Sequence, residues 1–348
     1  MSRGIGEFEP VQAVIPEWAA VLVALVTQLG DVWFLSLFVG LIYWFHAEKR
    51  EDAAVIVGFT LAGLALISAL KHVFSLPRPG EPLVAIETLP WILQPLYEAT
   101  AMAGGYGFPS GHALMTTIVY LGLAHRLSIS THRRRFAGAG IGIAAVCFSR
   151  IALGVHYLVD VVAGVAVGIA FLLCAERLLA RYSIDHGTGA FALAIVAGTV
   201  NLVVSGVDAN SVSLLGAALG AFGGWQLVVL GRHVCAADRP SDAVRPLVVR
   251  GVFAAGALAP LAVAIDEFHL FSLPARGAVR GVVLAAFVTV PVMKHSERAQ
   301  RFWTALVFWT TMAALGLRFL LSPTTWRRGL TLGRQYGVRL RSWIRPET

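Results

Sequence analysis

The sequence predicts an all-α fold, a polytopic bundle of transmembrane helices. Hydrophobic residues make up 57% of the 348 residues and charged residues only 14%, whereas soluble proteins carry roughly 25% charged residues. The hydrophobic residues stand in long runs, several of which approach the roughly 20 residues that a helix needs to cross a membrane. Each run is expected to be helical, because a strand exposed to lipid would leave its backbone groups without hydrogen bonds.

The charge distribution indicates a membrane surface rather than nucleic acid as the partner. The net charge is +8, and the basic residues cluster between hydrophobic runs and at the C-terminus, where they set topology and contact anionic headgroups. The cysteines, Cys147, Cys174 and Cys235, are far apart and form no CxxC pair. We assign them no chemistry, and we expect neither a metal nor a cofactor.

The first 30 residues are expected to form an N-terminal segment of mature sequence. Residues 1–17 carry three glutamates against only Arg3, so they lack the basic start of a signal peptide. Residues 17–29 are hydrophobic, but as a helix of about 20 Å they would not cross a hydrocarbon core of roughly 30 Å. Because Gly30 and Asp31 interrupt this run, it predicts an interfacial or re-entrant helix.

The remaining hydrophobic runs fall into two sets. The first is interpreted as a six-span core over residues 31–183, in which five full spans are placed, at 31–46, 52–73, 112–130, 135–151 and 156–180. The second set gives four to five further spans of unknown role, with candidates at 190–206, 211–231, 247–265, 276–293 and 302–321. Residues 322–348 form a basic tail.

Small residues recur four positions apart in several of these spans. Such spacing lets helix backbones approach closely in lipid, and it is favoured over the alternative that the glycines line a substrate path. The positions are Gly138 and Gly142, Gly164 and Gly168, and Gly216, Gly220 and Gly224.

The orientation follows from the lysines and arginines in short connections. Lys49 and Arg50, the arginines at 126 and 133–135, and those at 177 and 181 are expected on the cytoplasmic side. The loop at residues 74–107 and the junction at 149–156 then face outward. If every predicted span crosses the membrane, the arginine-rich tail lies outside, against the positive-inside rule. Either one C-terminal segment does not cross the membrane, or the positive-inside rule fails for the tail.

Three groups of ionisable residues map to the outward ends of predicted spans. They are Lys71 with Arg78, the segment Pro109-Ser110-Gly111-His112, and Arg150 with His156 and Asp160. Ionisable residues at membrane depth are costly enough to indicate function. Antiparallel helices joined in this order place all three groups in one layer, so they can converge on a single ligand.

This combination of side chains suits a phosphate group. Arginine offers forked donors and lysine a compact charge, so Lys71, Arg78 and Arg150 together can offset the charge of a phosphoryl group. Ser110 and the backbone amides after it stand where a helix begins, with free N–H groups and the positive end of the helix dipole. Gly111 leaves that approach open.

Two histidines can divide the chemistry. His156 can attack phosphorus if Asp160, four residues later on the same helical face, holds the proton on Nδ1 and leaves Nε2 free. His112 then serves as general acid and afterwards activates water. The three cations take the role that Mg²⁺ has in many phosphoryl transferases, so no metal is required.

The three groups resemble the three sequence motifs of the type 2 phosphatidic acid phosphatase superfamily. That superfamily includes lipid phosphate phosphatases, bacterial undecaprenyl-pyrophosphate phosphatases, glucose-6-phosphatase and vanadium haloperoxidases. The resemblance implies His156 as nucleophile, Asp160 as its partner and His112 as acid. It implies phosphate binding by Lys71, Arg78, Ser110, Gly111 and Arg150. It extends over roughly residues 31–181 and says nothing about residues 190–348.

Simpler interpretations exist for single features. Lys71 and Arg78 alone suit headgroup anchors, and for Asp31 a helix-capping role is favoured over a substrate role. The loop from Gly80 to Gly107 carries Trp91 and Ile92, and is either an interfacial cover that guides a lipid tail or a plain connector. Both readings of that loop stay open.

The sequence therefore predicts a multi-pass phosphatase of the cell membrane. We expect it to hydrolyse a lipid phosphomonoester or pyrophosphate at the extracytoplasmic face through a phosphohistidine. Phosphatidic acid, phosphatidylglycerol phosphate and polyprenyl pyrophosphate are the substrate candidates, and the motifs do not separate them. The alternatives are a lipid phosphotransferase and a lipid-binding or transport protein on the same fold. The oligomeric state and the role of the C-terminal helices stay open.

Overall fold

The computed structural model describes residues 3–101, 104–182, 184–237, 240–267 and 272–294, with residues 297, 301, 304–305, 308 and 312. Residues up to Pro291 form one compact unit, and the second unit, Val292–Thr348, lies mostly outside the described residues. The described residues form helices and no strands. The α-helices are α1 (Phe8–Gln12), α2 (Ala19–Gln28), α3 (Val32–Phe45), α4 (Arg50–Phe74), α5 (Gln94–Ala101), α6 (Gly111–Arg126), α7 (His132–Ala152), α8 (Leu158–Arg181), α9 (His186–Ser205), α10 (Ala209–Ala236), α11 (Pro240–Glu267) and α12 (Leu273–Lys294).

The described helices confirm the polytopic all-α prediction. Seven are long and apolar enough to cross a membrane, namely α4, α7, α8, α9, α10, α11 and α12. α2 and α3 meet this description only as a pair, bent by 48° at the break between them. That break contains Gly30 and Asp31, as the interruption in the sequence predicted.

Most predicted spans agree with the helices within a few residues. The span predicted at 112–130 is shorter, because Leu127 is extended and α6 ends at Arg126. Between residues 31 and 182, the described chain contains α3, α4, α6, α7 and α8 as its long helices, which correspond to the five placed spans. Four of the C-terminal candidates are α9–α12, and the fifth, 302–321, lies almost entirely outside the described residues.

Helix α4 is the central element of the bundle. It packs against α3, α6, α9 and α10, and most of its apolar length is buried. Its approach to α9 is close, because a Cβ atom added at Gly58 would lie 2.8 Å from the backbone of Ala190. The C-terminal helices α9 and α10 are therefore packed onto the same helix that carries Lys71.

The long loop after α4 packs over one end of the bundle. We call its described residues, 75–101 and 104–109, the covering loop. Leu89, Tyr97 and Ala101 form a buried cluster with α2 and with Leu153 and Val155, which follow α7. The hydroxyl of Tyr97 accepts a hydrogen bond from Val84 N at 3.0 Å and donates one to Val84 O at 3.2 Å. The loop is thus fixed against the helix ends that carry the sequence motifs.

The spaced glycines mostly serve helix packing, as predicted. A Cβ atom at Gly164 would lie 2.6 Å from Ser110 O, and one at Gly216 would lie 2.1 Å from Gly277 O. Cβ atoms at Gly220 and Gly224 would also collide with the backbone of α12, at Gly281 and Ala285. For Gly138 the packing prediction is wrong, because nothing lies within 4 Å of a Cβ atom there.

Enlarging Gly164 is expected to separate α8 from the start of α6. For Gly164→Ala we expect a loss of about 1–3 kcal/mol in stability, the usual cost of overpacking a tight contact, together with reduced activity. The loss in stability is measured as a shift in the midpoint of thermal unfolding in detergent. Gly138→Ala is the matched control, since alanine gains about 0.5–1 kcal/mol over glycine within a helix. Equal midpoints for the two variants would contradict the packing role of Gly164.

Candidate active site

The three sequence motifs meet at one end of the bundle. Lys71 lies in the last turn of α4, and Ser75, in the left-handed region with φ 49°, ends that helix. Ser110 is the N-cap of α6. Its backbone N–H donates to the carbonyl of Asp160 in α8 at 2.9 Å. This bond holds the second motif directly against the third.

A tight turn brings Arg150 and His156 to the same side. α7 ends at Ala152 and α8 begins at Leu158. Between them Gly154 has φ +67°, and a Cβ atom there would lie 1.7 Å from Glu81 O. Glycine is therefore required at this position, both for the left-handed backbone and for the contact with the covering loop.

His156 and Asp160 are in contact, but not in the way the sequence predicted. His156 lies before α8 rather than on it, and Asp160 lies in the first turn, where Oδ2 accepts the Tyr157 N–H at 3.1 Å. His156 Nδ1 lies 3.6 Å from Asp160 Oδ2, and both side chains are buried. The helix N-terminus, rather than a shared helical face, therefore brings the two side chains together.

Arg78 faces the other nitrogen of the same imidazole. Its Nη1 lies 3.4 Å from His156 Nε2 and 3.5 Å from the carbonyl of Val155. A guanidinium group only donates hydrogen bonds, so this contact requires Nε2 to be the acceptor. The proton of the neutral ring is then on Nδ1, facing Asp160.

The surroundings of His156 keep its imidazole neutral. The pKa of His156 is lowered to about 3, chiefly by burial, with a contribution from the charges of Arg150, Arg78 and Lys71, while Asp160 acts in the opposite direction. All three motif cations therefore act on one imidazole. A ring that is neutral at pH 7 keeps a lone pair on Nε2, the nitrogen that Arg78 faces.

Ser110 and Gly111 leave polar space beside Lys71. A Cβ atom added at Gly111 would lie 3.8 Å from Lys71 Nζ, so the ammonium group is next to the start of α6. Ser110 Oγ is buried and has no hydrogen-bond partner among the described residues. An unpaired buried hydroxyl costs about 1–3 kcal/mol, and a bound phosphate oxygen would satisfy it.

Arg150 is the most deeply buried of the cations, with 1% of its surface exposed. Its Nη1 donates to Thr27 Oγ1 on α2 at 3.0 Å, while its Nε has no partner in the described part of the chain. α2 therefore contributes to the site by holding Arg150. The sequence did not single out Thr27, because a lone threonine in an apolar run carries no pattern.

His112 has a carboxylate beside it that the sequence assigned differently. Asp31 lies at the N-cap of α3 but makes no side-chain capping bond. Its Oδ1 instead lies 3.5 Å from His112 Nε2. Asp31 thus occupies the predicted N-cap position of α3, but its side chain faces His112. The sequence did contain an indication of a role for Asp31 in the site, because this residue is ionisable and stands at a break in an apolar run.

Two N-terminal residues also reach the site. Arg3 Nε donates to Asp160 Oδ1 at 3.2 Å, and Glu7 Oε1 accepts the Leu158 N–H at the start of α8 at 2.9 Å. Neither belongs to a motif or to a predicted span. Within the described ranges, no three His, Cys, Asp or Glu side chains are grouped as metal ligands would be.

Comparison with known proteins agrees with this arrangement. The sequence profile of the PAP2 superfamily matches residues 53–183, a range that contains every predicted site residue. The resemblance inferred from the motifs is thereby confirmed for residues 53–183.

Two curated relatives match part of the chain. It is 31% identical over 147 residues to the lipid phosphate phosphatase delta of Arabidopsis thaliana, covering 40% of this chain and 33% of the relative. It is 30% identical over 145 residues to the lipid A 4'-phosphatase of Porphyromonas gingivalis, covering 39% and 56%. The matches thus span about a third to a half of the relatives' lengths. No solved structure matches the chain.

Replacing the carboxylate beside His112 is expected to impair proton transfer. Asp31→Asn removes the charge that stabilises a protonated His112, so phosphate release from a lipid phosphate should fall by about tenfold or more. Loss of an acid–base group itself typically costs about 10²–10⁴-fold. Glu17→Gln, an exposed carboxylate next to α2, is the control. Equal rates for both variants would show that Asp31 does not assist His112.

Proposed function

We propose that this protein is a membrane phosphatase that hydrolyses a lipid phosphomonoester or pyrophosphate. The observation that carries the proposal is the placement of Arg78 at 3.4 Å from Nε2 of His156, with Asp160 on the opposite side of the ring. A nucleophile, its orienting carboxylate and a phosphate-binding cation are thereby aligned. The names of both relatives, lipid phosphate phosphatase and lipid A 4'-phosphatase, support the same class of reaction.

The first step forms a phosphohistidine. Nε2 of His156 attacks phosphorus, the bond between phosphorus and the leaving oxygen breaks, and that oxygen takes a proton from His112. Asp160 stabilises the positive charge that develops on the His156 ring. Arg78, Arg150 and Lys71 offset the negative charge on the phosphoryl oxygens, and Ser110 Oγ donates to one of them.

The second step regenerates the free enzyme. His112 takes a proton from a water molecule, the water oxygen attacks phosphorus, and the bond to Nε2 breaks. Inorganic phosphate leaves, and His156 returns to its neutral form. The charge balance of both steps is provided by side chains, so the proposed mechanism requires no metal ion.

The proposed active site faces the extracytoplasmic side of the cell membrane. Lys71 and Arg150 lie in the last turns of α4 and α7, and Ser110 lies at the start of α6, so all three lie at one end of the bundle. The opposite end of the bundle carries Lys49, Arg50 and the basic stretch 133–135, which the positive-inside rule assigns to the cytoplasm.

The covering loop supports a lipid as the substrate. Trp91 is 80% exposed and Ile92 67% exposed, although the same loop is anchored in the cluster beneath it through Leu89 and Tyr97. Exposed aromatic and aliphatic side chains next to a polar site favour insertion at the membrane interface. Phosphatidic acid, phosphatidylglycerol phosphate and polyprenyl pyrophosphate all present the required phosphoryl group.

Removing the nucleophile tests the mechanism directly. For His156→Ala we expect phosphate release in detergent to fall by at least the roughly 10²–10⁴-fold typical of lost catalytic groups. The wild-type rate should be unchanged in EDTA. His125→Ala, a histidine in the last turn of α6 away from the site, should keep wild-type activity. Abolition of the wild-type rate by EDTA would contradict the metal-free mechanism.

Polar substitution of the covering loop tests the lipid preference. Trp91→Ser with Ile92→Ser should lower kcat/KM for a long-chain lipid phosphate more than for a short soluble phosphate ester, because only the former uses the interface. Ile129→Ser, 73% exposed at the opposite end of the bundle, is the control. Equal losses on both substrates would rule out a guiding role for the loop.

A further inference from the structure

The N-terminal strap, which we define as residues 3–12, lies across the active-site end of the bundle. Gln12 Nε2 donates to Glu81 O at 3.0 Å and to Ala152 O at 3.2 Å. It thereby joins the strap to the covering loop and to the end of α7. Phe8 is buried, and its ring lies 5.5 Å from that of Tyr157. The strap is therefore attached at several points.

Glu7 fixes the strap to the helix that carries Asp160. Its Oε1 accepts the Leu158 N–H at 2.9 Å, and its Oε2 accepts the Ile5 N–H at 2.6 Å. Leu158 is the first residue of α8, where backbone N–H groups lack partners within the helix. A carboxylate at this end is also favoured by the helix dipole.

Arg3 makes the contact between the N-terminal strap and Asp160. Its Nε lies 3.2 Å from Asp160 Oδ1 and its Nη2 lies 3.4 Å from Asp160 Oδ2. The same Nη2 donates to Pro77 O at 2.8 Å, and the guanidinium carbon lies 5.0 Å from the centre of the Tyr157 ring. One side chain therefore joins Asp160 to the residue that precedes Arg78.

The Asp160 carboxylate is consequently shared between the Arg3 and Tyr157 donors on one side and His156 on the other. Arg3 and the Tyr157 N–H hold the carboxylate, while His156 Nδ1 lies 3.6 Å away and makes no hydrogen bond within the described residues. A cation bound to this carboxylate offsets part of the charge that would otherwise act on the imidazole. Arg3 thus controls how strongly Asp160 supports the nucleophile.

We propose that Arg3 is a positioning residue of the phosphatase site, which orients Asp160 toward His156 and holds the Pro77–Arg78 segment beside the nucleophile. This role rests on the proposed function. The charged groups that face His156 are then Lys71 from α4, Arg78 from the following segment, Arg150 from α7 and Asp160 from α8. Arg3 acts on the imidazole through the last of these.

Two variants of Arg3 separate charge from geometry. Arg3→Ala removes a cation near His156, so the imidazole should become easier to protonate and the acid limb of the pH profile of kcat/KM should move to higher pH. The loosened Pro77–Arg78 segment should also raise KM, by about tenfold if one charge-assisted hydrogen bond to phosphate is lost. Arg3→Lys keeps the positive charge but loses the planar guanidinium group, which can donate to Asp160 and Pro77 at once. KM should therefore rise while the acid limb of the pH profile stays in place.

The profiles are measured on the full chain in detergent with phosphatidic acid, beside Glu9→Gln. Glu9 lies on the same strap but is exposed, so its variant should match the wild type. A merely structural Arg3 would lower the rate without moving the acid limb in Arg3→Ala, and this result would overturn the proposal.

If Arg3→Ala does not fold, as judged by its unfolding midpoint, Arg3→Lys decides: a wild-type KM there would overturn the positioning role. A wild-type protein that releases no phosphate from any lipid phosphate would refute the proposed function itself, and this proposal with it. If the wild type is active and the acid limb of the pH profile does not move in Arg3→Ala, only the role of Arg3 is refuted.

Discussion

The hydrogen bond from Ser110 N to Asp160 O, 2.9 Å long, is the contact on which the geometry of the site depends. It joins the start of α6 to the first turn of α8, and Gly164 permits it by leaving room for the Ser110 carbonyl. The free N–H groups of α6, the unpaired Ser110 hydroxyl and the His156–Asp160 pair are thereby brought together. Without this close approach, the second and third motifs would not share a ligand.

The arrangement of charge around that contact is costly for the empty protein. Arg150 is almost completely buried and donates to Thr27, and Arg78, Arg150 and Ser110 each have a buried atom without a hydrogen bond in the described chain. Buried polar groups that lack hydrogen bonds are unfavourable. A doubly charged tetrahedral anion satisfies these groups together, which explains in physical terms why the proposed ligand is a phosphate.

Much of this site could be predicted from the sequence, because its parts stand at helix ends. Apolar runs indicate where α4 and α7 end and where α6 begins, so the positions of Lys71, Ser110 and Arg150 follow from local pattern alone. The geometry of His156 did not follow, since a spacing of four residues suits both a helical face and the turn before a helix. The structure shows the turn, with Tyr157 as the N-cap.

Other residues could not be predicted because their role arises only from contacts distant in sequence. Arg3 lies 157 positions from Asp160, and Thr27 lies 123 from Arg150. Neither belongs to a motif. Asp31 is intermediate, because its charge at a helix break was visible but its partner His112 was not. Residues 190–348 carry no comparable group in the sequence, and the structure adds the packing of α9 and α10 against α4.

The central claim is that one tetrahedral anion is held on His156 by the cations of all three motifs. A structure of the protein determined with orthovanadate, which mimics a phosphoryl group in transfer, tests it most directly. The account predicts vanadium bonded to Nε2 of His156, with its oxygens within hydrogen-bond distance of Arg78, Lys71 and Ser110. Vanadate bound away from His156, or contacting the cations of only one motif, would contradict it.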